Sequence, residues 1–184
     1  LAKARKPQLR LLGMETQNGS KLLTGYIFAH EQSPVKTLKD LRGRSVAFGS
    51  SSSTTGRHYP QAALVDVGIL ARDLAAYRYL GRHDKVYRAV GPAGFDAGAS
   101  NEVTFKKYGM ERNFRIIHVM KSPAHAWLAK SDMSEGVAGL LHKALISLTP
   151  GDMALLSRDG IVPATDEDFD DVRRTMKKAE RFGE

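Results

Sequence analysis

A run of hydroxyl side chains between a strand-like and a helix-like segment is the part of this sequence best suited to chemistry. Positions 50–55 hold four serines and two threonines, directly after the apolar residues 46–48 and Gly49. Residues 56–64 then follow the pattern of a helix. The first N–H groups of a helix have no partner within it, and the helix dipole places partial positive charge at the same end. Residues 51–55 are therefore predicted to hold a phosphate-like anion.

An ordinary helix cap is the alternative interpretation of the same hydroxyl run. One Ser or Thr side chain is enough to cap a helix, and serine-rich turns are common between secondary-structure elements. Six hydroxyls in a row exceed that need, and none of them carries a negative charge that would repel an oxyanion. Taken alone, the run leaves the anion site and the cap both open.

The composition is that of a folded, basic protein without cysteine. The chain has 184 residues, 42% of them hydrophobic, and a formal net charge of +8. A hydrophobic core is therefore expected, and disulfides, thiolate metal sites and cysteine nucleophiles are excluded. The charge suits an anionic ligand, and nucleic acid is not expected as a partner because no reader motif accompanies the charge. No stretch approaches the roughly 18 apolar residues of a membrane span, so no membrane insertion of this segment is expected.

Strands and helices alternate through the middle of the chain. Between residues 45 and 120 this order predicts right-handed β-α-β units and a largely parallel sheet. Ligands of such sheets bind beyond the carboxyl ends of the strands. The loops at 50–55, 81–84 and 100–102 each follow a predicted strand, so they should meet at one sheet edge, which favours the anion site over a simple cap. The predicted strands are 9–14, 22–29, 45–48, 77–81, 95–99, 114–120 and 126–129, and the predicted helices are 37–43, 54–67, 82–90, 101–108, 134–148, 152–159 and 166–182.

Four ordered blocks of the chain resemble a known family. They are TLKDLRGRSVAFGSSSSTTGRHYPQAAL, YLGRHDKVYRAVGPAGFDAGA, FRIIHVMKSP and GIVPATDEDFDDVRR. Together they resemble the PhnD-like phosphate/phosphite/phosphonate-binding proteins of ABC transporters, which are type 2 periplasmic binding proteins. The resemblance extends from about residue 19 to residue 174 and begins partway into a family member, so the N-terminal part is expected to be missing.

The resemblance implies an α/β fold of two lobes joined by two crossing strands, with the ligand in the cleft. One lobe is expected to be complete and the other N-terminally truncated. Residues 1–35 would be the remnant of the first lobe with a connecting strand. Residues 36–122 would be the second α/β lobe with the anion-binding helix N-terminus, and residues 123–184 would be a mainly helical return to the first lobe.

The resemblance also assigns ligand-binding roles to the hydroxyl run. In the family, a Ser-Thr-Ser-type run at the start of the second lobe's first helix binds the phosphoryl oxygens. Ser53, Thr54 and Thr55 match this run. Gly56 matches the glycine that follows it. Thr55 replaces a usual serine and keeps the hydroxyl.

A histidine of a G-x-H-D block reaches the ligand in the family, which implies the same role for His83. In the alternative interpretation, His83 caps the helix that starts at position 82, a role that Asp84 would also fill. The predicted ligand-binding residues are Ser52, Ser53, Thr54, Thr55, Gly56, His83, Glu102 and Tyr26.

Two departures from the family pattern bear on the ligand. Family members that bind amine-bearing phosphonates hold the ammonium with carboxylates, and Glu102 matches one of them. The second carboxylate would follow Ser122-Pro123, where this chain has no acidic residue. Position 23, near which the family has an aromatic side chain, is Leu23, although Tyr26 is nearby. The resemblance therefore implies a simpler oxyanion: a phosphonate, phosphite or phosphate.

The expected function is that of the solute-binding component of an ABC importer. Such a protein is periplasmic or extracytoplasmic and delivers its oxyanion to a transporter permease without catalysis. The alternative is a ligand-sensing domain of a signalling receptor with the same binding fold. No cofactor and no metal are expected.

The sequence contains no catalytic motif that would favour an enzyme. The six histidines show no metal-type spacing, and the chain has no Gly-x-Ser-x-Gly elbow. His58 follows Thr54 by four residues on the same predicted helix and could serve as a general base. The helix N-terminus and the hydroxyls already explain this region without a reaction.

Overall fold

Two compact units make up the chain. The computed structural model describes residues 8–108, 113–156 and 158–184. Unit 1 comprises Leu1–Leu23 and Pro123–Asp171, and unit 2 comprises Thr24–Ser122 and Val172–Glu184. The lobe limits given above remain a prediction, and the contacts differ from them in grouping residues 24–35 and 172–184 with residues 36–122.

The order of strands and helices is that of an α/β chain. The strands are β1 (Arg10–Thr16), β2 (Leu22–His30), β3 (Ser45–Phe48), β4 (Ala76–Tyr79), β5 (Ala97–Asn101), β6 (Phe114–Pro123), β7 (Ala126–Ala129) and β8 (Gly160–Val162). The α-helices are α1 (Tyr59–Asp66), α2 (His83–Ala89), α3 (Glu102–Tyr108), α4 (Glu135–Ile146), α5 (Pro150–Leu155) and α6 (Asp170–Glu180). Short 3-10 turns lie at Leu38–Leu41, Ala71–Asp73, Glu167–Phe169 and Arg181–Gly183, and a π turn, Thr54–His58, precedes α1.

The sheet of unit 2 has the strand order β4-β3-β5-β2-β6. β3 pairs in parallel with β4 and with β5, whereas β2 runs antiparallel to β5. The π turn with α1, and then α2, connect the three parallel strands, which confirms the predicted β-α-β units. Val46, Ala47 and Phe48 of β3 are all buried, as expected for an inner strand covered on both faces. The carboxyl ends of β3, β4 and β5 therefore lie at one edge of this sheet.

Closely packed aromatic and aliphatic side chains fill the core of unit 2. Phe28 of β2 stacks on Tyr87 of α2 with their ring centroids 4.5 Å apart. Val86 of the same helix and Val90, which directly follows it, belong to this buried cluster. Gly98 of β5 lies beneath them, where a Cβ would approach Val86 Cγ1 to 2.5 Å and Val90 Cγ2 to 2.8 Å. The helix can lie this close to β5 only because position 98 has no side chain.

Unit 1 contains a three-stranded antiparallel sheet with the order β7-β1-β8. The strand β8 was not predicted, because three residues are too few to show a strand pattern. The helix predicted at 152–159 was placed too late along the chain and is found at Pro150–Leu155. Thr149 starts it there as the N-cap, since its hydroxyl accepts from the backbone N–H of Asp152 at 3.2 Å.

A carboxylate with three partners lies in unit 1. Glu15 of β1 is 9% exposed and accepts from Arg158 Nε at 2.8 Å and from Trp127 Nε1 at 3.2 Å. His125 Nδ1 lies 3.1 Å from its other oxygen. Burial acts to raise the pKa of Glu15, but the hydrogen bonds and charges of Arg158 and His125 outweigh burial, so the pKa lies below the ordinary value. Trp127 is thus engaged in the internal structure of unit 1.

Replacing Gly98 with alanine is expected to destabilise unit 2 by about 1–3 kcal/mol, because the added methyl group has no room beneath α2. Urea unfolding followed by circular dichroism measures the loss. Gly139→Ala in α4 is the matched control, since nothing lies within 4 Å of a Cβ at that position. It should raise stability by up to about 1 kcal/mol, because alanine favours a helix over glycine. Equal stability of Gly98→Ala and the unmodified chain would contradict the packing described.

A buried histidine makes the stability of unit 2 sensitive to acid. His58, in the π turn, is 7% exposed, and its Nε2 has no hydrogen-bond partner in the described part of the chain. Burial, with a smaller contribution from the charge of Arg57, lowers the pKa of His58 from 6.5 to about 4. The unfolded chain takes up the proton at the ordinary, higher pKa. The contribution of neutral His58 to the stability of unit 2 is therefore fully present above pH 6.5 and is lost as the pH falls towards 4.

The variant His58→Gln should lose less stability on acidification than the unmodified chain. Between pH 7.5 and pH 4.5 we expect the difference in loss to be roughly 2–3 kcal/mol, because each unit of pKa shift corresponds to about 1.4 kcal/mol. Urea unfolding at the two pH values measures it, with His30→Gln as the control for removing a histidine. The same loss in all three proteins would show that His58 does not carry this effect.

Candidate functional site

The helix after β3 begins with a turn that is wider than an α-helical turn. Thr54–His58 form this π turn, which continues as α1. Ser53 is the N-cap, since its Oγ accepts from the backbone N–H of Gly56 at 3.0 Å and its carbonyl accepts from the N–H groups of Arg57 and His58. The cap interpretation is thus confirmed for Ser53. Because an accepting hydroxyl still carries its own hydrogen, Ser53 can also donate to an anion.

Two backbone donors at the helix start have no acceptor among the residues that the structure describes. They are the N–H groups of Thr54 and Thr55. Thr55 is 4% exposed and packs against Gly25 of β2, where a Cβ would lie 2.9 Å from Thr55 Cβ. Thr54 is partly exposed. The helix start therefore presents two amide donors together with the positive end of the helix dipole.

The loop before the helix is held by side chains that the sequence analysis did not single out. Arg57 donates from Nη1 to Ser51 O at 2.6 Å and from Nε to Gln61 Oε1 at 3.2 Å. Gln61 in turn donates to Tyr79 OH at 2.6 Å, so that α1, the loop and β4 are connected. The i, i+4 spacing of Arg57 and Gln61 indicates the contact between these two side chains. Nothing in the sequence indicates the contacts with Ser51 and Tyr79.

Two glycines let the end of β3 and the helix start approach each other closely. Gly49 donates its N–H to Gly56 O at 2.8 Å. A Cβ at Gly56 would lie 3.1 Å from Gly49 Cα and 3.1 Å from His83 Cε1. His83, the first residue of α2, is thereby placed against the helix start.

The imidazole of His83 is partly buried and does not cap a helix. Arg82 is the N-cap residue of α2, and its guanidinium pairs with Asp84 through two N–O distances of 2.9 Å. The interpretation of His83 or Asp84 as the cap is therefore wrong. His83 Nδ1 is buried without a hydrogen-bond partner among the described residues, and it would lie 3.4 Å from a Cβ at Gly49. Burial lowers the pKa of His83 more than the charge of Asp84 raises it, so the ring is neutral at pH 7.

A second polar group is formed by a residue of β2 and the first residue of α3. Tyr26 OH donates to Glu102 Oε1 at 3.0 Å. Burial, followed by the hydrogen bond and the charge of Glu102, raises the pKa of Tyr26. Tyr26 follows Gly25, against which Thr55 packs, and Gly25 lies opposite Asn101 in the β2–β5 pair. Successive residues of a strand face opposite sides of the sheet, so the phenol and the carboxylate lie on the side of α3, with Phe105, and Thr55 lies on the other.

Most of the predicted site residues meet at one edge of the sheet of unit 2. Ser52 stands somewhat apart, on an exposed turn where its hydroxyl lies 3.1 Å from that of Ser50. The residues that come together there are Ser53, Thr54, Thr55, Gly56 and His83, whereas Tyr26 and Glu102 form a pair of their own on β2 and α3.

Residues 8–108, 113–156 and 158–184 contain neither a metal-type cluster nor a membrane-spanning helix. In these ranges no three His, Asp or Glu side chains are grouped in a way that could hold a metal ion. No helix within them combines the length and the apolar character needed to cross a membrane.

The sequence is related to transport proteins that bind phosphorus oxyanions. The family described as "ABC transporter, phosphonate, periplasmic substrate-binding protein" matches residues 1–169. The probable ABC transporter phosphite binding protein PhnD1 of Prochlorococcus marinus (strain MIT 9301) is 27% identical over 128 residues, which are 63% of this chain and 43% of that protein. The chain thus spans less than half the length of this relative.

Solved structures show the same fold. PhnD1 of Prochlorococcus marinus in complex with methylphosphonate has a TM-score of 0.82 at 19% identity, over 98% of this chain and 74% of that one. XAC2383 from Xanthomonas citri, bound to ATP, has a TM-score of 0.80 at 23% identity, over 95% of this chain and 72% of that one. These likenesses confirm the predicted α/β fold of type 2 periplasmic binding proteins. Since the family matches most of its length, this chain belongs to the periplasmic substrate-binding proteins of phosphonate ABC transporters.

Proposed function

We propose that this chain binds a phosphate-like oxyanion as the solute-binding component of an ABC importer. The observation that carries the proposal is the helix start after β3, where the N–H groups of Thr54 and Thr55 lack acceptors among the described residues. Such a helix start favours an anion through its free donors and its dipole together. Membership of the phosphonate-binding family and the methylphosphonate complex of PhnD1 support the same ligand class.

The donors that we assign to the ligand are neutral groups at the helix start. Thr54 and Thr55 would donate from their backbone N–H groups, and Thr54 would add its hydroxyl. Ser53 would donate the hydroxyl hydrogen that its cap bond leaves unused. His83 would donate from Nε2, because its Nδ1 faces the backbone of Gly49. Gly56 would contribute by leaving room for this approach.

The remaining predicted residues would act at the margins of the ligand. Ser52 would support the loop through its contact with Ser50. Tyr26 and Glu102 would border the site from β2 and α3, on the other side of the sheet from Thr55. Together with the donors, these residues would reject a ligand unable to pair with them, because a buried polar group left unpaired costs about 1–3 kcal/mol.

The low basicity of His58, the histidine nearest the hydroxyl run in sequence, supports binding without catalysis. His58, considered above as a general base, has a pKa of about 4 and is buried, so it is a weak base at neutral pH. We further propose an importer permease as the partner and the periplasm as the location, in line with the family. The family match favours this importer role over the signalling-receptor alternative.

Calorimetry with a panel of anions tests the proposal. We expect phosphate, phosphite or methylphosphonate to bind in preference to sulfate, which has the same shape but is a weaker hydrogen-bond acceptor. ATP and 2-aminoethylphosphonate complete the panel. Absence of heat with every phosphorus oxyanion would overturn the proposed function.

The variant Thr54→Val should bind the preferred anion more weakly by about 1–3 kcal/mol, because it loses a hydroxyl that donates to a charged group while keeping its shape. Calorimetry on the variant measures the loss. Ser147→Ala at the end of α4 removes a hydroxyl whose partner is Ala144 O, and it should leave the affinity unchanged. If Thr54→Val binds as tightly as this control, the threonine hydroxyl is not a ligand donor.

Replacing His83 by glutamine should alter the pH dependence of binding. The pKa of His83 lies below 6.5, so the ring gains its proton, and with it a stronger attraction for an anion, only as the pH falls below that value. The ratio of the affinities of the unmodified chain and His83→Gln should be constant above pH 7 and should rise several-fold towards pH 5. Taking the ratio cancels the titration of the ligand itself. A ratio independent of pH, as expected for the control His30→Gln, would remove His83 from the site.

A further inference from the structure

Residues near the end of the chain pack against the strand that leads to the proposed anion site. Val172–Glu184 belong to unit 2, and Phe182, in the turn after α6, is 2% exposed. The ring centroid of Phe182 lies 5.8 Å from that of Phe48 in β3 and 5.4 Å from that of Tyr77 in β4. Both contacts are edge-to-face, an arrangement that aromatic quadrupoles favour, so each ring restrains the orientation of the next. Phe182 thus belongs to the core at the point where β3 ends.

Two polar contacts hold this segment on either side of Phe182. Lys178 of α6 pairs with Asp66, the last residue of α1, through an Nζ–Oδ1 distance of 2.7 Å. Arg72 donates from Nη1 to Glu184 O at 2.6 Å. Because both contacts are exposed to solvent, each contributes little by itself, and the buried ring is the main attachment. The family match ends at residue 169, ahead of this segment.

Tyr79 connects these aromatic rings to α1. Its ring centroid lies 5.7 Å from that of Phe48 and 5.9 Å from that of Tyr77. Its OH accepts from Gln61 Nε2 at 2.6 Å. Gln61 is 1% exposed, so water cannot replace the phenol oxygen as the partner of this amide. The hydrogen bond therefore depends on where the packed rings place Tyr79.

Arg57 extends the connection from α1 to the loop that carries the hydroxyls. Its Nε donates to Gln61 Oε1 at 3.2 Å, and its Nη1 donates to Ser51 O at 2.6 Å. The guanidinium carbon also lies 5.5 Å from the centroid of the Tyr79 ring, within the range of a cation–π contact. Gln61 and Tyr79 thus orient the guanidinium. The guanidinium in turn fixes the carbonyl of Ser51, shortly before the N-cap Ser53.

We propose that Phe182 is a positioning residue for the loop at Ser51, on which it acts through the rings and the polar contacts described. Loss of its ring would leave a cavity beside Phe48 and Tyr77, into which these side chains can shift. The phenol oxygen of Tyr79 would move with them, and Ser51 O would lose its fixed position. The inference rests on the proposed function, since it concerns the geometry of the same anion site.

Calorimetry with methylphosphonate on the unmodified chain, Phe182→Ala and Phe182→Leu tests this proposal, at a temperature at which circular dichroism shows all three to be folded. Phe182→Ala should bind about tenfold more weakly, because a loop that occupies the binding geometry only part of the time has a reduced apparent affinity. Phe182→Leu, which fills most of the cavity again, should recover most of the affinity.

Val35→Ala is the control for a loss of stability alone. Val35 is fully buried in unit 2, and its backbone is bound by Ser33 Oγ and Arg115, outside the contacts that lead to the loop. This variant should bind methylphosphonate as tightly as the unmodified chain.

A double-mutant cycle with Gln61→Leu tests the route of the effect. Gln61→Leu interrupts the polar contacts between Tyr79 and Arg57 without changing the charge, and it should weaken binding as well. If Phe182 acts through Gln61, the double variant Gln61→Leu, Phe182→Ala should bind little more weakly than Gln61→Leu alone, because both changes release the same loop. Weakening equal to the product of the two single effects would contradict this route.

Hydrogen exchange of the amides at 50–57, measured without ligand, tests the position of the loop independently of binding. Exchange should be several-fold faster in Phe182→Ala than in the unmodified chain and in Val35→Ala, because a released loop exposes its amides more often. Unchanged exchange in Phe182→Ala would overturn the inference.

The outcomes separate the two proposals. No binding of methylphosphonate, phosphite or phosphate by the unmodified chain overturns the proposed function and this inference with it. Equal affinity of the unmodified chain and Phe182→Ala for methylphosphonate, or the same weakening in Val35→Ala, overturns the inference alone.

Discussion

The hydrogen bond from Gly49 to Gly56 O, 2.8 Å long, is the contact on which the candidate site depends. It ties the end of β3 to the first turn of the helix that follows, and neither residue has a side chain to keep the two backbones apart. Gly81, just after β4, donates to Gly49 O at 3.1 Å and carries α2 with His83 to the same place. One close approach of backbone thus determines where the free amides and the imidazole lie.

The proposed site would rely on oriented neutral donors more than on formal charge. The chain has a net charge of +8, but exposed charges are screened beyond about 8–10 Å and attract any anion alike. A hydrogen bond to a charged ligand contributes about 1.5–3 kcal/mol and depends on direction. Several such donors, from the amides of Thr54 and Thr55 and from His83, would therefore outweigh the net charge in affinity and in selectivity.

The sequence was sufficient to predict those elements that depend on neighbouring residues alone. The strands 45–48 and 126–129 were predicted to the residue, because an apolar run bounded by turn residues is read from neighbours alone. The close approach of β3, α1 and α2 followed from the alternation of strands and helices, which places loops at one sheet edge. β8 escaped prediction because its three residues make a strand only through pairing with β1, more than 140 positions away. The contacts of Arg57 with Ser51 and of Lys121 with Thr24 depend in the same way on backbone positions that no spacing encodes.

The π turn at Thr54–His58 changes the width of the helix start and not the number of its free amides. An α-helix leaves four N–H groups without an intrahelical partner at its start, because each bond reaches back four residues. Here Ser53 O accepts both from Arg57 N–H, four residues on, and from His58 N–H, five residues on, and Tyr59 N–H then bonds to Thr54 O. A turn closed by bonds of this length holds one more residue than an α-helical turn and is wider. The extra residue broadens the helix start behind the amides of Thr54 and Thr55, and a tetrahedral anion held there would contact more than one donor at once.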